Sequence, residues 1–243
     1  MSIWFVVPVH GRDALTRVCL RQLRRTCDAL DHYATAVVIG EGDILDFAYD
    51  LGFATVERDN QSLGAKFNDG FQLACDPRYN PHPADYVVPC GSDDWIDPVV
   101  FRRLPGPNEV GVFRHMAVVN EDKTLLARKR VTYKTAAGPK IIPHALIAAA
   151  GYRPSEEDRR RAIDASTIEG IKRATGRWPH MVDLDVHALQ IVDWKSHTDQ
   201  LNSFRMFAGH KPRDVTENLW DEVAAHYPVE SVEEMRELTA VAV

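Results

Sequence analysis

The first hundred residues alternate between continuous apolar runs and segments with helical periodicity. The apolar runs predict strands that are covered on both faces, and they lie at Ile3–Val9, Ala34–Ile39, Phe53–Val56 and Tyr86–Cys90. Between them, apolar residues recur every three or four positions, which is typical of amphipathic helices. This β-α-β-α-β-α-β order with short connections predicts a parallel sheet with right-handed crossovers.

The pattern changes in the second half of the chain, where strands and helices no longer alternate regularly. Ser231 and Glu234 have the spacing of a capping box at the start of a final helix, and Asp164 has a position suited to an N-cap. The other predicted elements are strands at Glu109–Val119, Lys123–Val131 and Val186–Trp194, and helices at Ile142–Ala150 and Asp164–Thr175.

The amino-acid composition and net charge argue against several classes of protein. The 243 residues are 45% hydrophobic and 26% charged, which suits one large globular domain or two small ones. A net charge of −6 argues against a nucleic-acid partner, and the basic run Arg21–Arg25 is expected on a solvated helix face. No apolar run approaches the roughly 20 residues that span a bilayer. Four cysteines without CxxC spacing predict free thiols in a cytoplasmic protein.

The candidate chemistry lies in the loops that follow the predicted strands, where parallel sheets bind their ligands. Asp93 and Asp94 are adjacent carboxylates, which repel each other unless a positive charge lies between them. A divalent cation such as Mg²⁺ binds one or two carboxylates together with substrate phosphates. The alternative is an acidic turn that caps the helix beginning near Ile96.

A second group of polar residues opens the helix after the third strand. Gly64 permits close approach of the backbone, and a helix N-terminus favours anions. Lys66 and Asn68 would then reach a diphosphate or a ribose.

In their order, these motifs resemble those of family 2 glycosyltransferases, over residues 3 to about 176. The similar segments are Val6–Val9 with the turn His10–Arg12, Asn60–Ala74, Ser92–Pro98, Gly151–Pro154, and Ile163-Asp164 with the helix to Gly176. Gly91 departs from the family because many members have the first Asp of a DxD motif there, and Ile163 replaces the usual Glu.

The resemblance implies a binding site for a nucleotide sugar and a divalent metal, Mn²⁺ or Mg²⁺. Glu41 and Asp43 stand where the family often has an acid that recognises the base, which suggests UDP because a carboxylate can accept the imide N–H of uracil. The metal ligands implied are Asp93, Asp94 and the late His197. The nucleotide-sugar-binding residues implied are Pro8, His10, Arg12, Glu41, Asp43, Asn60, Gly64, Lys66, Asn68, Ser92, Asp93 and Lys195.

A catalytic base is also implied, since an inverting transfer needs a carboxylate to take the proton of the acceptor hydroxyl. The resemblance points to Asp164, whose alternative role is that of an N-cap. Asp183 and Asp185 are rivals, because alternate residues of a strand place both carboxylates on one face.

The expected architecture is α/β: a GT-A fold with a mainly parallel, Rossmann-like sheet flanked by helices, a smaller antiparallel part and C-terminal helices. We expect residues 1–107 to form the nucleotide-sugar-binding half, residues 108–200 the acceptor and catalytic half, and residues 201–243 a helical extension.

The expected activity is transfer of a hexose-type sugar from a nucleotide-diphosphate sugar to a hydroxyl of a glycan, protein or small molecule, with inversion. One alternative is a nucleotidyltransferase that makes the sugar nucleotide, although His10–Arg12 is short for the Gly-rich basic loop of such enzymes. The other alternative is a degenerate nucleotide-sugar-binding protein without catalysis, which the departures at Gly91 and Ile163 raise.

Overall fold

Apolar runs of the chain assemble into two β-sheets covered by helices. The structure, a computed structural model, describes residues 1–113, 115–120, 126–130, 138–160, 163–184, 188–195 and 218–241. The strands are β1 (Ser2–Pro8), β2 (Tyr33–Gly40), β3 (Ala54–Glu57), β4 (Tyr86–Pro89), β5 (Asp94–Ile96), β6 (Glu109–Val112), β7 (His115–Asn120), β8 (Leu126–Arg130), β9 (Lys140–Pro143), β10 (His180–Asp183) and β11 (Ile191–Lys195). The α-helices are α1 (Asp13–Asp28), α2 (Asp43–Asp50), α3 (Leu63–Cys75), α4 (His144–Ala149), α5 (Ile163–Thr175), α6 (Leu219–Ala224) and α7 (Val229–Val241). Short 3₁₀ helices span Pro98–Arg102 and Ala188–Gln190.

The larger sheet has seven strands in the order β10-β6-β9-β4-β1-β2-β3. All neighbouring strands are parallel except at β9, which runs antiparallel to both β6 and β4. Side chains of β1 alternate between the two faces: Phe5 and Val7 pack in the core under α1 and α2, whereas Val6 packs under α3, α4 and α5. The expected parallel sheet with helices on both faces is therefore confirmed.

A four-stranded sheet in the order β5-β11-β7-β8 lies beside it. Its core is aromatic: the ring centroids of Trp95 and Trp194 are 5.1 Å apart, and those of Trp194 and Trp220 are 5.8 Å apart. Tyr227 packs against Trp95 at 5.1 Å, and α1 closes this cluster from the other side with Leu15. The C-terminal helices thus complete the hydrophobic core of the smaller sheet.

The last helix is also tied to α1 by polar side chains. Glu234 accepts hydrogen bonds from Arg21 at 2.6 Å and from Arg25 at 2.9 Å. Ser231 donates to Gln22 and accepts from Arg25 at 2.7 Å. The capping-box interpretation of Ser231 and Glu234 is therefore wrong, because α7 begins at Val229 and both side chains point to α1. The prediction of a solvated basic face at Arg21–Arg25 is also wrong, because Arg21 and Arg25 pair with Glu234 of α7.

Three predicted segments differ from the structure. The run Glu109–Val119 is divided between the two sheets, because β6 ends at Val112 and β7 begins at His115. Ile142 belongs to β9 and the helix that follows begins only at His144, since a short apolar run fits a strand as well as a helix. The late strand begins at Ile191.

The start of α5 and the length of the helices bear on two further predictions. α5 begins at Ile163 and Asp164 is its second residue, so the prediction of Asp164 as an N-cap concerns a side chain outside what the structure describes. Among the described residues, no helix has both the length and the apolar character needed to cross a membrane.

Candidate functional site

Three carboxylates meet at the junction of the two sheets. Asp93 precedes β5, Asp94 begins it, and Asp193 of β11 lies directly opposite Asp94 in the antiparallel register. One carboxylate oxygen from each residue lies within 4.8 Å of the others, and the three residues are only 4%, 9% and 7% exposed. We call Asp93, Asp94 and Asp193 the acidic trio.

Strand alternation explains how two members of the acidic trio, Asp94 and Asp193, come to share one face. Trp95 and Trp194 turn to the aromatic core, so their neighbours Asp94 and Asp193 turn to the opposite face. The backbone N–H of Trp194 donates to the carbonyl of Asp93 at 2.9 Å and extends the pairing of the two strands by one residue. The same strand pairing therefore buries the indoles and aligns the carboxylates of Asp94 and Asp193.

Gly91 makes room for this arrangement. A Cβ at this position would lie 2.6 Å from Asp93 Oδ1 and 2.9 Å from Asp94 Oδ2. The Gly91 N–H donates to Asp94 Oδ2 at 2.6 Å and so fixes that carboxylate. The absence of an acid at Gly91 thus has a steric reason, and Asp193 supplies a third carboxylate from a distant strand.

Among the ion pairs of the described residues, Arg12 is the cation that contacts the acidic trio. Its Nη1 lies 2.9 Å from Asp93 Oδ2, and the two side chains are 16% and 5% exposed. Arg12 precedes α1 in a left-handed conformation with φ 53° and ψ 42°. A guanidinium in this position offsets part of the carboxylate charge.

The negative charge of the trio extends to two buried thiols. Burial, reinforced by Asp93 and Asp94, raises the pKa of Cys19 on α1 well above its usual range. Burial and Asp94 do the same to the pKa of Cys90, at the end of the strand before the trio. Both thiols stay protonated and neutral, and all four cysteines are free, as predicted.

The acidic trio fits a hard divalent cation. Carboxylate oxygens are the ligands that Mg²⁺ and Mn²⁺ prefer. Bonds of about 2.1 Å place opposite ligands of an octahedral ion roughly 4 Å apart, which matches three oxygens within 4.8 Å. Asp93, Asp94 and Asp193 are thus the described residues best suited to hold such an ion.

A second polar network lies at the carboxyl ends of β1 and β2. Lys66 of α3 donates to the Val9 carbonyl at 2.6 Å and to the Asn60 amide oxygen. Asn60 in turn donates to Glu41 at 2.6 Å. Burial lowers the pKa of Lys66 to about 8, although Glu41 and Asp59 act in the opposite direction. The hydrogen bonds of Lys66 thus stabilise the loops in which Asn60 and Glu41 are exposed to solvent.

Two residues expected near a ligand make contacts within the chain. Asn68 is fully buried, donates to the Ser155 carbonyl at 2.8 Å and accepts from the Ser155 N–H at 2.9 Å. A Cβ at Gly64 would lie 1.9 Å from the Glu156 carbonyl oxygen, and the Gly64 N–H donates to Arg159 at 2.9 Å. The space beside Gly64 is thus taken by the segment 155–159 of the same chain.

The remaining predicted residues are spread around these two networks. Pro8 ends β1 and is buried, Ser92 is buried beside the trio, and His10 and Asp43 are exposed at the strand ends. Asp183 ends β10 and is half-buried. Asp164 lies in α5 and Lys195 ends β11, but their side chains lie outside what the structure describes, as do Asp185 and His197 entirely.

Asp193 is the residue of this site that sequence reasoning missed. The signal was a carboxylate inside an apolar strand, Ile191-Val192-Asp193-Trp194. A buried charge is costly unless it is paired or coordinates a metal, so such an interruption of an apolar run indicates a functional site.

Comparisons with protein-family models and with curated protein sequences gave no match. Solved structures do match. A Drosophila β-1,4-galactosyltransferase 7 complex with manganese, UDP-Gal and xylobiose has a TM-score of 0.50 at 10% identity, covering 91% of this chain and 79% of its own. Mannosyltransferase PcManGT from Pyrobaculum calidifontis, with GDP-Man and Mn²⁺, has a TM-score of 0.52 at 11% identity, covering 82% and 57%.

A nucleotidyltransferase is also among the similar structures. The inositol-1-phosphate CTP transferase from T. maritima has a TM-score of 0.48 at 10% identity, covering 98% of this chain and 97% of its own. With identities this low, the likeness concerns the fold. The chain therefore has the mixed α/β architecture of the GT-A, Rossmann-like fold that these glycosyltransferases share.

Proposed function

We propose that this protein is a metal-dependent glycosyltransferase, which moves a hexose-type sugar from a nucleotide-diphosphate sugar to an acceptor hydroxyl. The observation that carries the proposal is the acidic trio: three buried carboxylates within 4.8 Å, at the carboxyl edge of a GT-A sheet. Similar structures were solved with Mn²⁺ and a sugar nucleotide, which supports the same chemistry here.

In this proposal the residues of the trio hold Mn²⁺ or Mg²⁺ and so position the diphosphate. A divalent cation bound there would offset the charge that develops on the leaving diphosphate. Asp94 is held by the Gly91 N–H, and Asp193 is held by its strand, so these carboxylates keep their places without side-chain rearrangement. Such preorganisation reduces the cost of stabilising charge as the reaction proceeds.

UDP is the nucleotide that we propose. Glu41 lies at the carboxyl end of β2 and is oriented by Asn60, which Lys66 orients in turn. Asp43 is exposed in the first turn of α2, two residues further along. A carboxylate presented in this way can accept the imide N–H of uracil, whereas cytosine has no N–H at that ring position.

The transfer is proposed to proceed with inversion, as in family 2 enzymes. Asp164 remains the proposed base, with Asp183 and Asp185 as rivals, and Lys195 and His197 remain proposed phosphate and metal ligands. Asp183 has one point in its favour, because it ends β10 at the same carboxyl edge as the acidic trio. A general base in this position would contribute roughly 10²–10⁴-fold to the rate.

The organisation of the chain follows from these roles. We propose that residues 1–107 hold the nucleotide, residues 108–200 the acceptor, and residues 201–243 a helical extension. The loop between β1 and α1 is short, from Val9 to Arg12, which favours a glycosyltransferase over a nucleotidyltransferase with its Gly-rich basic loop. Four buried free cysteines support a reducing compartment such as the cytoplasm.

The test is release of UDP from UDP-glucose and UDP-galactose in the presence of Mn²⁺, with EDTA as the control. We expect slow metal-dependent hydrolysis without an acceptor and faster turnover with a suitable hydroxyl. Release that continues unchanged in EDTA would contradict the metal role. Binding of UDP and Mn²⁺ without turnover of any sugar nucleotide would favour the degenerate binding protein instead.

A further inference from the structure

Arg12 is bound to the acidic trio by an ion pair that the metal role does not explain. Its guanidinium contacts Asp93 Oδ2 at 2.9 Å across 81 residues of sequence. We infer that Arg12 is an exchangeable counterion, which pairs with Asp93 before the donor binds and with a donor phosphate afterwards. The inference rests on the proposed function and goes beyond it, because it couples the affinity for the metal to the affinity for the nucleotide through the charge of Arg12.

The backbone directs Arg12 to this contact. Gly11 and Arg12 follow one another with φ of 60° and 53°, and Arg12 and Tyr152 are the non-glycine residues with positive φ among those described. The left-handed region is uncommon for residues other than glycine, and outliers of this kind cluster at ligand sites. The loop therefore keeps the cationic side chain of Arg12 beside the acidic trio, although this requires an unfavourable backbone conformation.

The charges also favour an exchange. Arg12 offsets part of the negative charge of the three carboxylates, and a divalent cation would offset more of it. Arg12 and that cation share Asp93 Oδ2 as a partner, so each weakens the attraction of the other for it. A diphosphate adds negative charge on the solvent side, and a guanidinium binds phosphate oxygens through two parallel hydrogen bonds. The Arg12 side chain is 16% exposed, so a donor phosphate can reach it from the solvent side.

The exchange predicts effects of opposite sign in one variant. Arg12→Gln should bind Mn²⁺ alone more tightly than wild type, by about tenfold, because a hydrogen-bonded charge competing for Asp93 is gone. The same variant should bind UDP more weakly at saturating Mn²⁺, also by about tenfold, because the phosphate loses its guanidinium. Both affinities are measured by isothermal titration calorimetry.

Two further variants separate this role from simpler ones. Arg12→Lys keeps the charge but not the planar fork, so its Mn²⁺ affinity should stay near wild type while UDP affinity falls only partly. Arg17→Gln is the matched control, since it removes a guanidinium one turn later on α1 that stacks on Phe47 and should change neither affinity. Thermal melting of each variant verifies that it is folded.

Each contrary result identifies what fails. If Arg12→Gln leaves Mn²⁺ affinity unchanged, Arg12 does not compete with the metal for Asp93. If the variant binds Mn²⁺ more weakly, Arg12 orients Asp93 for the metal. Either result means that the exchange is wrong. If Mn²⁺ binds more tightly but UDP affinity is unaffected, Arg12 never reaches the phosphate and the exchange is equally wrong. If wild type binds no Mn²⁺ at all, the proposed function falls and takes this inference with it, which distinguishes the two failures.

Discussion

Asp193→Asn removes the carboxylate that only the folded chain brings to Asp93 and Asp94. The substitution keeps the shape of the side chain and takes away one of three charges within 4.8 Å. Even residues that merely hydrogen-bond to metal ligands contribute about 10–100-fold to metal affinity. A direct ligand should contribute at least as much, so we expect Mn²⁺ affinity to fall roughly 10²-fold or more.

The same substitution should not destabilise the protein without metal. Two carboxylates about 5 Å apart repel by roughly 3 kcal/mol at an effective dielectric constant near 20. Arg12 and solvent offset most of this repulsion, which leaves a gain of about 1 kcal/mol, or roughly 2–4 °C in Tm for a chain of this size. The variant should therefore melt no earlier than wild type in EDTA.

Thermal melting with and without Mn²⁺ measures both effects together. At a Mn²⁺ concentration of about 100 times the wild-type Kd, binding adds roughly 2.7 kcal/mol to wild type, whereas a hundredfold weaker site gains only about 0.4 kcal/mol. Asp50→Asn is the control, because it removes one exposed charge at the end of α2 and should behave as wild type. A variant at position 193 that keeps the wild-type Mn²⁺ shift would refute the assignment of Asp193 as a ligand.

Three other predictions test the rest of the site. Gly91→Ala should fold, since the three atoms nearest its Cβ would be side-chain atoms of Asp93 and Asp94 and none a backbone atom, yet calorimetry should show weakened Mn²⁺ binding because those carboxylates must shift; tight binding would disprove the steric argument. Glu41→Ala or Asp43→Ala should weaken UDP more than CDP in thermal-shift titrations, and equal losses would exclude base recognition by this loop. Asp164→Asn should keep UDP affinity but lose roughly 10²-fold or more in kcat, and a larger loss in Asp183→Asn would move the base to β10.

Much of the nucleotide half could be predicted because its signals are local. A buried parallel strand is apolar throughout, and the run that became β1 is recognisable without knowledge of its neighbours. The acidic pair Asp93–Asp94 was visible for the same reason, since both residues follow such a run directly. Local patterns thus indicated the sheet, its helices and two of the three carboxylates.

The rest depends on contacts between distant parts of the chain. Asp193 joins the trio only through the register that pairs β11 with β5, and no spacing in the sequence encodes that register. Ser231 and Glu234 have the spacing of a capping box, but α1 lies close enough to take both side chains. Asn68 resembled a ligand-binding residue, and in the structure its amide donates to the Ser155 carbonyl, a contact that the sequence does not indicate. In each case a tertiary partner decides what a local motif does.

The separation of the trio along the chain has a consequence for biosynthesis. Asp193 is translated one hundred residues after Asp93. At about 5–20 residues per second, a ribosome needs roughly 5–20 s to add that stretch. Because Asp193 and Trp194 are adjacent on β11, one pairing event places Trp194 in the aromatic core and delivers the last carboxylate. A nascent chain therefore gains the full acidic trio only when β11 pairs with β5. The smaller sheet and the complete site thus form in the same step of folding.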